Sequence, residues 1–175
     1  MTAARKLHDM VASVAPVVSV REDGNTFSLQ LDDTASEAQA AAAQAILASF
    51  DRNSPTAADV NVERERRLKT FTFSGHVFDF CDGRGSDLNI MGAGTLALAA
   101  IISGAAEGDL QWSSPTVPFC WTTHTNELVE MDAKTCLAFS KTAAEWKAAH
   151  IYAARRLKDT RPIASDFKAD RWWKP

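Results

Sequence analysis

The feature that most constrains this chain is an apolar stripe near its C-terminal end. Cys136, Phe139, Ala143, Trp146, His150, Ala153 and Leu157 follow one another at alternating spacings of three and four. That alternation keeps one face of an α-helix turned toward a single partner surface. Asp132 stands where a capping side chain belongs, so the pattern predicts one helix running to about Asp159, and Pro162 stops it. The stripe must pack on the chain's own core or along another copy as a coiled coil, and the spacing satisfies both. The one polar member, His150, is expected to fix register or to hydrogen-bond a neighbouring element.

The remaining segments supply surfaces for such a helix. Residues 1–52 read as an αββα module. Leu7, Met10, Val11 and Val14 recur at helical spacing, and Val18 and Val20 then alternate with polar neighbours. Asp23-Gly24 predicts a tight hairpin, with Phe27, Leu29 and Leu31 on the return strand. An alanine-rich helix follows, capped by Thr34 or Ser36, and Thr34 with Glu37 matches a capping box. Residues 53–70 read as a solvated connecting helix, with Glu63–Arg67 and Glu65–Lys69 as i,i+4 ion pairs.

Residues 71–175 form the predicted C-terminal α+β domain. Phe71 and Phe73 alternate, Ser74-Gly75 turns, and His76, Phe78 and Phe80 return. An Ala- and Gly-rich helix spans about Ser86 to Ser103. A second hairpin sets Phe119 and Trp121 against Leu128 and Val129 or Met131 across a turn at His124 to Asn126. The fold class is therefore α+β, two small modules with a long C-terminal helix.

Composition excludes several classes of function. With 46% hydrophobic and 23% charged residues the chain is a globular protein rather than a disordered one. A net charge of −3 gives it no electrostatic reason to bind nucleic acid or an acidic membrane. The stretch from Leu88 to Ala106 carries no charge and approaches the length of a bilayer span. Alanine and glycine dominate it, which predicts a buried core helix and no membrane segment. Cys81, Cys120 and Cys136 are odd in number and widely spaced, as buried free thiols in a reducing compartment would be.

No catalytic constellation emerges, and no enzyme activity, cofactor or metal is expected. Gly92-Ala93-Gly94 lacks the later residues of a phosphate loop, and His8, His76, His124 and His150 are scattered. Asp79, Asp82, Asp87 and Asp109 lack the ordered spacing of a calcium loop and read as caps and turns. Cys136 and His150 on one helix stand about 21 Å apart, too far to act together. The closing Trp172-Trp173 pair either folds back onto the core or anchors a partner. Trp146, His150, Trp172 and Trp173 are accordingly the candidate partner interface.

A resemblance adds to this reading. Glu65-Arg66-Arg67-Leu68 precedes Phe71-Thr72-Phe73-Ser74-Gly75-His76-Val77-Phe78-Asp79. Asn89-Ile90 heads the alanine-rich helix, Trp121 is followed by Asn126 and Met131-Asp132, and His150 by Arg156-Leu157-Lys158. In these residues the C-terminal two thirds resembles an uncharacterised domain family of tail-region proteins in tailed phages and prophages of proteobacteria. Gly24 to Leu31 and Ala41 to Asp51 resemble the short module that often precedes it. The resemblance implies a structural component of the virion tail, at the distal tail or a fibre, binding other phage tail proteins and present in several copies. It implies no catalytic residues. The alternative is an assembly chaperone for the tail or its fibre that leaves before the particle is complete.

Overall fold

A computed structural model describes residues 2–160 and 162–174; Met1, Arg161 and Pro175, the end of the predicted C-terminal domain, lie outside the described residues. The protein is α+β, and its strands pair as three antiparallel hairpins. It divides into two compact units, Met1–Thr56 and Ala57–Pro175.

The first unit runs α1 (Ala3–Ala12), β1 (Val17–Asp23), β2 (Thr26–Leu31), α2 (Glu37–Ser49). Gly24, at φ 58°, makes the tight turn that the sequence predicts. Leu7, Val11 and Ala43 are buried against the apolar face of the hairpin. Val17 pairs with Leu31 but Ser19 with Gln30, so β1 carries a bulge. The extra residue turns Val18 out to solvent while Val17 and Val20 stay on the core side. Simple alternation of Val18 with Val20 is thus corrected.

The capping box of α2 also sits elsewhere than predicted. Ser36 Oγ accepts from the Gln39 amide and Gln39 Oε1 from the Ser36 amide, while Thr34 donates to Asp32.

The second unit runs α3 (Ala57–Arg67), β3 (Thr70–Phe73), β4 (His76–Asp79), α4 (Ser86–Ile102), β5 (Cys120–Thr122), β6 (Leu128–Glu130) and α5 (Ala133–Asp159), then a single 3-10 turn (Asp170–Trp172). Ser74 and Gly75 both take positive φ, the geometry a two-residue hairpin turn needs. Asp132 caps α5 as predicted, accepting from the Thr135 amide at 2.7 Å. Its other oxygen accepts from the Gly108 amide at 2.7 Å. One carboxylate therefore starts the helix and ties down the loop before it.

The stripe of α5 is buried within the chain and serves two cores in succession. Near its start Cys136, Phe139 and Ala143 meet Phe71, Phe78, Phe80, Ile90 and Met131. The Phe139 ring lies 4.8–5.5 Å from those of Phe71, Phe73, Phe78 and Trp121. Each such aromatic pair adds about 0.5–1.5 kcal/mol beyond its burial. Near the other end Ala153, Ala154 and Leu157 meet Val60, Ile163, Phe167 and Trp173.

That second core corrects the reading of α3 as a solvated connector. Val60 is fully buried and Glu63 is 4% exposed. A carboxylate so deep needs partners. Arg66 donates to both oxygens at 2.7 and 2.8 Å, and Arg67 to one at 2.7 Å. The hydrogen bonds from Arg66 hold the Glu63 carboxyl below the usual range, against the opposing effect of burial. The predicted Glu63–Arg67 pair forms, whereas Glu65 pairs with Arg64. Arg67 reaches on to the Lys168 carbonyl and Asp170, with its guanidinium 5.3 Å from the Trp173 ring centre.

Trp173 is core: it is 1% exposed, and its Nε1 donates to the Phe167 carbonyl at 2.7 Å. The joint between the two cores is aromatic. His150, also 1% exposed, stacks on Trp173 with ring centres 6.0 Å apart and lies 4.2 Å from Trp146. Its Nδ1 donates to the Trp146 carbonyl at 2.9 Å, since a carbonyl only accepts, and this fixes the neutral tautomer. Burial is the main cause that pushes the His150 pKa down, and Arg67 pushes the same way.

Two outcomes follow from the joint. Trp173→Ala should lower unfolding free energy by about 3–5 kcal/mol in urea titrations monitored by circular dichroism. The unfolded chain protonates His150 more readily than the folded one does. Stability should therefore be full above the ordinary histidine value of 6.5 and fall as pH drops below it. His150→Gln should flatten that part of the pH–stability curve.

Candidate docking surface

In helix α4 burial and composition disagree. Its inner face is made of small residues around Ile90: Ala93, Gly94 and Ala97 are buried against α5 and the first core. A Cβ placed on Gly94 would fall inside the hydroxymethyl group of Ser140 on α5. Only glycine lets the two helices approach so closely.

The outer face is as apolar as the inner one. Leu88 is 74% exposed, Leu96 65% and Ile102 78%, and Met91 and Leu98 are also exposed. Leu88, Met91, Thr95, Leu98 and Ile102 follow one another at spacings of three, four, three and four. This is a second stripe of the kind found on α5, and it faces solvent. Gly92, Thr95 and Ala99, also exposed, are the small residues among the large side chains. No charged residue interrupts the helix between Asp87 and Glu107. A helix that is apolar all round belongs inside something, and apolar patches beyond a few hundred Å² mark interaction sites. The prediction of a wholly buried core helix is corrected: one face is buried and one is open.

Met91 continues this face into a shallow groove of about 290 Å³ between α4 and α5, lined by Phe80, Asp87, Lys147, Ala148 and Ile151. Lys147 donates to Asp87 at 2.9 Å, and Cys81 Sγ lies 3.7 Å from the same carboxylate. The hydrogen bond from Lys147 holds Asp87 below the usual range, and Asp87 in turn raises Lys147. Burial pushes the Cys81 thiol up, and that of Cys136 up to about 11. Both therefore stay protonated at neutral pH and are poor nucleophiles. The groove offers an apolar wall and one ion pair.

The four residues predicted for a partner interface lie elsewhere. His150 and Trp173 are each 1% exposed and pack within the chain. Trp146 and Trp172 are half-buried and pack against the two cores, with Trp172 Nε1 donating to Asp166 at 3.1 Å. The predicted aspartates act locally. Asp82 accepts from the Arg84 amide and Ser86, Asp109 from the Gln111 amide, and Asp79 pairs with His124 at 2.6 Å. Among the described residues no group of three or more His, Cys, Asp or Glu side chains could hold a metal ion. Among them, too, no helix is long and apolar enough to cross a membrane.

The model of one protein family, described as a domain of unknown function (DUF4376), matches residues 51–170. No curated protein and no solved structure matches the chain.

The seat of α4 can be checked directly. Gly94→Ala would gain about 1 kcal/mol on an isolated helix. Here the clash with Ser140 should dominate and cost about 1–3 kcal/mol in chemical denaturation. Adding Ser140→Gly should restore most of that loss.

Proposed function

We propose that this chain, which belongs to the DUF4376 family of unknown function, is a non-enzymatic structural component of a bacteriophage tail, working through contacts with other tail proteins. The observation that carries the proposal is the open apolar stripe of α4. A face of this kind is costly in water and is stabilised by covering it with another protein surface. The likeness of Glu65 to Asp79, and of the segments from Asn89 to Lys158, to tail-region proteins supplies the setting. A neutral Cys81 thiol and a neutralised Lys147–Asp87 pair beside the groove agree with a docking role.

In this reading the second unit presents α4, and the chain resides in the virion in several copies. Mass spectrometry of purified particles from a phage encoding the chain should find it in stoichiometric amount. Leu88→Glu, at an exposed position of the stripe, should deplete it from particles while leaving the melting curve of the isolated protein unchanged. Absence of the wild-type chain from particles, with abundance in the lysate, would replace the structural role by that of an assembly chaperone.

A further inference from the structure

We infer that residues 163–174 form an acid-released strap: a proton on His150 drives this segment off α3 and α5 while the first core stays folded. The inference concerns the second unit alone and does not depend on the virion setting.

The segment is built to leave as a body. Within it the Phe167 amide donates to the Ala164 carbonyl, the Ala169 amide to Asp166 and the Trp172 amide to Ala169. Trp173 Nε1 donates to the Phe167 carbonyl, and Trp172 Nε1 and Arg171 both donate to Asp166. Arg67 ties it to α3 through the Lys168 carbonyl and Asp170. Ile163, Phe167 and Trp173 pack on Val60, Ala153, Ala154 and Leu157. The first core is built from other side chains, Phe71, Phe78 and Phe139 among them.

Trp173 is the cover of the imidazole. The His150 ring lies between Trp146 and Trp173, 4.2 and 6.0 Å from their ring centres. Its Nδ1–H is committed to the Trp146 carbonyl, so an added proton goes on Nε2. That proton places a charge where burial disfavours it. The charged groups around the joint do not compensate. From α3 come Arg67, a like charge, and Glu63, whose carboxylate Arg66 and Arg67 already hold. From the strap come Asp170, bound to Arg67, and Asp166, bound to Arg171. On α5, Lys147 is bound to Asp87.

Once Trp173 lifts, the ring meets water and regains the ordinary histidine value of 6.5. The released state therefore binds the proton more tightly than the docked one. Docking is at full strength above that value. Below it, docking weakens by up to about tenfold per pH unit until the docked ring itself titrates.

Two-dimensional NMR of the full chain, titrated from about pH 7.5 to about pH 5, tests this. The amides of residues 163–174 and the Trp173 indole should move to random-coil positions along one curve, and the His150 imidazole should titrate along the same curve. The amides of Phe71, Phe78 and Phe139 should stay dispersed. His150→Gln keeps an N–H for the Trp146 carbonyl but has no titrating group, and should hold the strap docked across the range. His124→Gln, at an exposed histidine, should release it as the wild type does.

A strap that stays docked to the end of the titration, a His150 that titrates while the strap remains in place, or a first core that melts with it would each overturn the inference. So would release in His150→Gln at the wild-type pH, or loss of release in His124→Gln. Should His150→Gln fail to fold, the wild-type curves decide alone: coincidence of strap and imidazole supports the strap, and separation overturns it.

Discussion

The second unit depends on one constraint: a single long helix must satisfy two cores with one stripe. α5 does so by changing side-chain size along its length. Phe139 fills the first core, where two hairpins bring aromatic rings from several directions. Ala153 and Ala154 thin the helix in the second, where α3 and the C-terminal segment lie close. Between them stands His150, polar enough to need a partner and flat enough to stack. By donating to the carbonyl one turn back, it meets its need within α5 and leaves its face free for Trp173.

The second core is held by charge as well as by apolar contact. Glu63 is buried at a cost that two arginines offset, and the one nearer the tail is shared. Arg67 binds the Glu63 carboxylate, the Lys168 carbonyl and Asp170, and covers the Trp173 ring. A planar guanidinium can do this; a lysine ammonium, a point charge without a stacking face, could not hold the same set. The C-terminal segment is thus fixed by a residue about a hundred positions earlier in sequence.

Much of this was legible in the residues. The start and end of α5, the turns at Gly24 and at Ser74-Gly75, and the presence of the second hairpin follow from caps, periodicity and turn chemistry, all of which are local; the choice of Val129 over Met131 opposite Trp121 does not. The failures share a cause: each needed knowledge of what lies opposite. The bulge at Val18 depends on the register of β2, and the burial of Glu63 on the returning tail. The capping box moved because Asp32 captures Thr34. The solvent-facing stripe of α4 was present in sequence as spacing. Composition alone assigned that helix to the interior, and only the narrow inner face shows that the large side chains have nowhere to go but outward.

That narrowness has a colloidal consequence. Proximity and bulk compete for the same side of a helix. α4 sits close to α5 by using small residues inside, so its oily bulk lies on the rim of the molecule. A helix seated closely on one side is therefore oily on the other, and that strip gains most from being shielded from water.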